Sequence, residues 1–190
     1  MADGAVETFT IMSHSVLSER LRKGVWLMCG PMNTGKTVFL RGLTASLPEV
    51  RFASTFDEAT ESGEPVAHLV VDAGIPLKAA EWTSLVRTLK HVKEGTSTSY
   101  QSIIFICNDF KSVPPTVRCL LSGVLMMRNV WEPLVNAVFK ACATTKAAKV
   151  ADLIESFNTL PPFSCAFFDL ASMTGEGPTH FVLDPVPYTA

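Results

Sequence analysis

Gly30-Pro31-Met32-Asn33-Thr34-Gly35-Lys36-Thr37 fits the pattern G-x-x-x-x-G-K-[ST] at every fixed position. The residue types explain the chemistry. Gly30 and Gly35 let the backbone bend so that successive N–H groups point at phosphate oxygens. Lys36 supplies a cation for the β- and γ-phosphates, and the Thr37 hydroxyl can ligate Mg²⁺. The eight residues together form a cradle for a nucleoside triphosphate, taken here as ATP, with Mg²⁺ beside it.

Asp72 is the natural second metal-holding residue. It follows the apolar run 66–71, and an acid at the end of a strand beside the P-loop strand holds Mg²⁺, usually through water, opposite Thr37. A plain strand-end aspartate capping a turn is the bland alternative. Many P-loop ATPases place a glutamate directly after this aspartate to activate water, whereas Ala73 and Gly74 follow here. Either another carboxylate does that work, or hydrolysis is slow, or the phosphate goes to something other than water. Glu81, Asp57, Glu58 and Asp109 are the substitutes, each read first as a solvated surface charge. Asn108 ends the next apolar run and can orient the attacking water, although Asn108-Asp109 also suits a simple turn. Arg118 and Arg128 are the candidate arginine fingers, neutralising charge that develops in the transition state; Arg87 and Arg41 are weaker ones. Lys140, Lys146 and Lys149 could touch nucleic-acid phosphates, but such spacing more often marks the solvated face of a helix. The histidines at 14, 68, 91 and 180 have no metal-ligand spacing.

Positioning these residues requires alternating strands and helices. Val25 to Cys29 reads as a buried strand ending at the loop, and Thr37 to Leu47, with Val38, Leu40, Leu43 and Leu47, as a helix whose N-terminus would hold the anion. Further strands are expected at Val50 to Ser54, Val66 to Val71, Ser102 to Cys107, Val124 to Met127 and Ser164 to Phe168, with Thr179 to Leu183 pairing beside the last. Helices are expected at Leu77 to Val92, from Pro114-Pro115 through Arg118 to Gly123, and from Trp131 to Phe157 in one or two pieces. Thr55 to Pro65 and Glu94 to Ser99 read as loops. Residues 1–22 form a polar lead-in with one short helix near Val16 to Leu21, and 23–190 a single domain. The fold class is α/β: a P-loop NTPase with a mainly parallel central sheet and helices on both faces. Ligands in such sheets sit at the carboxyl ends of the strands, where the P-loop, Asp72 and Asn108 all fall.

Bulk properties narrow the partners. With 16 basic and 18 acidic residues the formal charge is -2, which is no global basic signature, so nucleic acid would have to meet a local patch or a ring of subunits. No apolar run approaches the length that spans a bilayer, and no membrane insertion is expected. The 5 cysteines make no C-x-x-C pair and read as reduced core residues of an intracellular protein.

The order of motifs is similar to the additional-strand class of P-loop ATPases. More narrowly, the chain resembles the viral genome-packaging ATPases of the FtsK–HerA superfamily. The carrying stretches are GPMNTGKT at 30–37, LVVD at 69–72 and IIFICNDFKSVPPTVR at 103–118, with LPPFSCAFFDL at 160–170 similar to the terminal strand region. The absence of an acid after Asp72 departs from that pattern. The resemblance implies a ring homo-oligomer that hydrolyses ATP to push double-stranded DNA into a viral capsid through its packaging vertex. Arginines would act across subunit boundaries, in an infected cell or associated with the virion. Three other readings stay open. A viral superfamily 3 helicase would share the P-loop and the strand ending in Asn, a small-molecule kinase would need an arginine-rich lid, and a non-hydrolysing nucleotide switch would suit Ala73.

Overall fold

The apolar runs become strands of one sheet because each carries hydrophobic side chains on both of its faces and needs cover on both. The computed structural model describes residues 10–61, 66–72, 77–90, 100–128, 132–142, 154–155, 157–161, 164–170 and 180–183. In chain order the elements are β1 Thr10–Met12, α1 His14–Arg20, β2 Gly24–Cys29, α2 Lys36–Thr44, β3 Val50–Ala53, α3 Phe56–Thr60, β4 His68–Val71 and α4 Ala79–Lys90. Then come β5 Ser102–Cys107, a 3-10 turn Phe110–Ser112, α5 Pro115–Arg118, β6 Gly123–Met127, α6 Glu132–Cys142, β7 Cys165–Asp169 and β8 His180–Leu183.

The strands form an eight-stranded sheet in the order β1-β8-β7-β6-β2-β5-β4-β3. Every strand but β7 runs the same way; β7 is antiparallel to both β6 and β8. The expectation that the acidic strand lies beside the P-loop strand is corrected here: β5 is inserted between β2 and β4. Register gives the reason. All six residues of β5 pair with the six of β2, from Gly24 opposite Ser102 to Cys29 opposite Cys107, and β5 is buried throughout. The four-residue β4 then pairs with β5 from the other side.

Alternation along the strands divides the core in two. Val25, Leu27 and Cys29 of β2 join a cluster with Ile103, Phe105 and Cys107 of β5, capped by Trp82, Leu85 and Val86 of α4 and by Leu134, Val135 and Val138 of α6. Trp26 and Met28 face the opposite layer, with Leu17 and Leu21 from the α1 segment and Phe39, Leu40 and Leu43 of α2. The sheet is therefore covered on both sides, as expected.

Several local expectations differ from the structure. The segment read as a loop from Thr55 contains α3, because Thr55 accepts from Glu58 N–H at 3.2 Å while the Glu58 carboxylate accepts from Ser54 N–H at 2.6 Å. The Thr55 hydroxyl thus satisfies one first-turn donor, and the Glu58 carboxylate reaches back to the N–H just before the cap. The helix expected to run from Pro114 to Gly123 stops at Arg118. Beyond it, Ser122 N–H donates to Val25 O at 2.6 Å and Ser122 Oγ accepts from Val25 N–H at 3.1 Å, drawing the chain into the sheet as β6. The lead-in holds an additional edge strand, β1, parallel to β8. Of the helix expected between Trp131 and Phe157, α6 covers Glu132–Cys142; Trp131, Lys146 and Lys149 lie outside the described residues, as do Ala73, Gly74, His91 and the 94–99 segment. Cys119 is exposed rather than a core residue. No described helix is long and apolar enough to cross a membrane.

Candidate nucleotide-binding site

The loop after β2 needs its glycines for two different reasons. A Cβ on Gly30 would sit 3.0 Å from Thr34 Oγ1 and 3.2 Å from Met127 Cβ, so a side chain there would press on the neighbouring strand. Gly35 has φ +81°, in the left-handed region open to glycine at little cost. Asn33 also has positive φ, 62°, a conformation that asparagine tolerates better than most residues. Gly35 is the N-cap of α2 and offers no side-chain cap, which leaves first-turn N–H groups available to an anion.

Lys36 opens α2 and is only 7% exposed. Its Nζ donates to Gly30 O and Pro31 O, both at 2.7 Å, and to Asn108 Oδ1 at 2.9 Å. Those contacts match the three donors of an ammonium group. Burial pulls its pKa below the ordinary lysine value, opposed by Cys107, Asp72 and Cys29. The charge is thus held in a partly dehydrated position, where an incoming phosphate would interact strongly. Next to it, Thr37 Oγ1 donates to Asp72 Oδ2 at 2.5 Å. Asp72 is itself fixed at the end of β4 by its N–H donating to Ala53 O at 2.9 Å.

These groups open on one cavity of about 600 Å³, lined among others by Lys36, Thr37, Asp72, Asn108 and Asp109. Trp82 and Phe105, with ring centroids 4.2 Å apart, form part of its apolar wall. Met32 and Val38 border it too and are strongly exposed. The hydroxyl of Thr37 and the carboxylate of Asp72 are hard oxygen donors side by side, a pair that fits Mg²⁺, which takes few protein ligands and keeps several waters.

The other sequence candidates separate clearly. Of the four substitute carboxylates, Asp109 alone lines this cavity; its Oδ1 accepts from Lys111 N–H at 2.9 Å and caps the 3-10 turn. Glu81 accepts from Lys78 N–H at 2.7 Å at the start of α4. Asp57 and Glu58 are exposed on α3. Arg118 donates through Nε to Val113 O at 2.7 Å and lies over the Phe110 ring at 5.1 Å. Arg128, just past β6, donates to Asn158 O at 3.0 Å. Neither lines the cavity. Arg41 stacks on Phe52 at 4.3 Å, and Arg87 is exposed on α4.

Sequence reasoning missed Trp82, Phe105 and Cys107 as residues lining the cavity, and Cys29 as the partner of Cys107. Only strand register brings residues 78 positions apart into contact, and no spacing pattern carries that signal.

The fold is that of a P-loop NTPase. No family model matches the chain and no curated protein sequence does, but solved structures share its architecture. The genome packaging NTPase B204 from Sulfolobus turreted icosahedral virus 2, in complex with sulfate, superposes with a TM-score of 0.55 at 11% identity, over 87% of this chain and 98% of that one. The same protein in complex with ATP-gammaS gives 0.54 at 12% identity, with the same coverage. B204, the DNA-packaging ATPase from Sulfolobus turreted icosahedral virus, gives 0.52 at 11% identity, over 86% and 98%. At this identity the likeness is one of P-loop NTPase fold, extending over nearly the whole of each neighbour.

Proposed function

We propose that the chain is a Mg²⁺-dependent ATP-hydrolysing motor that moves double-stranded DNA into a viral capsid, working as a ring of identical subunits. The observation that carries this reading is the convergence of Lys36, Thr37, Asp72 and Asn108 on one cavity at the carboxyl ends of β2, β5 and β4. Support for the packaging role comes from the fold neighbours, which are genome-packaging NTPases. In this reading Gly30 to Thr37 wrap the phosphates and Lys36 exchanges protein carbonyls for phosphate oxygens. Thr37 and Asp72 hold the metal, which would neutralise charge on the β- and γ-phosphates. Asn108, released from Lys36, orients the attacking water.

Asp109 takes the part of the carboxylate missing after Asp72. It is next to Asn108 and borders the same cavity, close enough in the chain to polarise the water that Asn108 positions. Arg118 and Arg128 lie off the cavity of their own subunit, so in this reading an arginine finger reaches a neighbour's site. The protein would work in the infected cell, at the packaging vertex of the capsid. Hydrolysis measured with and without double-stranded DNA, at concentrations that drive assembly, tests the reading. DNA-stimulated turnover supports it. Tight ATP binding without turnover, under all conditions including added capsids, replaces it with a nucleotide switch.

A further inference from the structure

Cys29 and Cys107 are the last residues of β2 and β5 and stand opposite each other in register. Their sulfurs are 3.3 Å apart. Parallel strands lie about 4.8 Å apart, within the Cα separation a disulfide spans. Each cysteine immediately precedes a residue of the candidate site, Gly30 and Asn108. Gly30 N–H donates to Cys107 O at 3.3 Å, and Lys36 Nζ joins Gly30 O to Asn108 Oδ1 from above. The thiol pair and the lysine therefore tie the same two strand ends together.

Access differs between the two sulfurs. Both residues are buried, Cys29 at 0% and Cys107 at 9% exposure, and of the two Cys107 alone lines the cavity. The Lys36 ammonium is near both sulfurs, and the cavity that Cys107 lines gives a small oxidant a path to it. Cys165 contrasts with them: it is fully buried on the other face of the sheet, and burial pushes its thiol up.

We propose that Cys29 and Cys107 form an oxidation site for peroxides, and that the disulfide formed there shuts off nucleotide binding. The effect on binding rests on the reading of the cavity as a nucleotide site. The Cys107 thiolate attacks hydrogen peroxide, the O–O bond breaks, and a sulfenic acid forms while hydroxide leaves and takes up a proton as water. The Cys29 sulfur then attacks the sulfenic sulfur, the S–S bond forms, and a second water leaves with the Cys29 proton. Two thiols lose two electrons in total and one peroxide gains them. A disulfide bond is about 2.05 Å long, so the sulfurs must close by more than an ångström. That movement falls on the strand ends that set Gly30, Lys36 and Asn108. Bound nucleotide would cover Cys107 and slow the reaction, and a dithiol reductant would reverse it.

The test treats the full chain with hydrogen peroxide, with and without Mg·ATP. Disulfide-linked peptides are then mapped by mass spectrometry, and binding of a fluorescent ATP analogue is measured. The expected result is a Cys29–Cys107 linkage, slowed by Mg·ATP, with affinity lowered by about tenfold or more and restored by dithiothreitol. Cys29→Ala should form no such linkage and keep its affinity through the treatment. A reduced chain that binds the analogue but forms no linkage, at peroxide levels that oxidise exposed Cys119, overturns the proposal. So does a linkage that leaves affinity unchanged. A reduced chain that binds no nucleotide overturns the site reading and the switch together.

Discussion

At the scale of single residues, the site is defined by two side-chain pairs, Lys36 with Asn108 and Thr37 with Asp72. Each joins the P-loop helix to the end of another strand. Lys36→Ala should lower turnover by more than about 10²-fold, the order expected when a transition-state charge partner is lost, and leave the circular dichroism spectrum unchanged. Near-normal turnover in that variant would exclude the mechanism. Asp109 allows a sharper division between chemistry and structure. Asn keeps an acceptor for Lys111 N–H, so Asp109→Asn should retain the 3-10 turn and nucleotide affinity while kcat falls by about 10²-fold. If Asp109 only caps the turn, the Asn variant should turn over normally and Asp109→Ala alone should suffer. The P-loop was legible because its chemistry sits on eight consecutive residues. The candidate carboxylate was not: four acids were equivalent in the sequence, and only in the structure does Asp109, the cap of the turn at Phe110–Ser112, separate from the others by lining the cavity.

At the scale of elements, β2, β5 and β6 were read closely because they are apolar and buried along nearly their whole length, while the edge strand β1 and the short α3 were missed because neither carries a long apolar run. Thr55-x-x-Glu58 was a capping signal hidden in a stretch that looked merely acidic. Thr55→Ala should destabilise the fold by about 1 kcal/mol, measured by urea unfolding; no change would mean that α3 contributes nothing to global stability. His68 begins β4 and is 2% exposed, with Nδ1 2.8 Å from Ser102 Oγ. Burial lowers its pKa, helped by Arg22 and opposed by Glu49. The unfolded chain therefore takes up this proton first as pH falls, and the folded state loses stability below about pH 6.5. His68→Gln should flatten the pH dependence of stability below about pH 6.5. An unchanged slope would mean that other groups set it.

At the scale of the whole molecule, the sheet order β6-β2-β5-β4-β3 puts the P-loop, Asn108 and Asp72 on three adjacent strand ends, and β7 and β8 extend the sheet beyond β6. Alternating strands and helices made the parallel sheet legible, but residue spacing alone set the acidic strand next to the P-loop strand. The inserted position of β5 follows from pairing length, which single-strand patterns do not reveal. Assembly is likewise invisible in composition, since a formal charge of -2 marks no DNA-binding face. The central claim, a DNA-translocating ATPase, is tested most directly by ATP hydrolysis at rising protein concentration with and without double-stranded DNA. Turnover should rise more than linearly with protein concentration, increase further with DNA, and fall by more than about 10²-fold in Lys36→Ala. Turnover that is proportional to concentration and indifferent to DNA would contradict it.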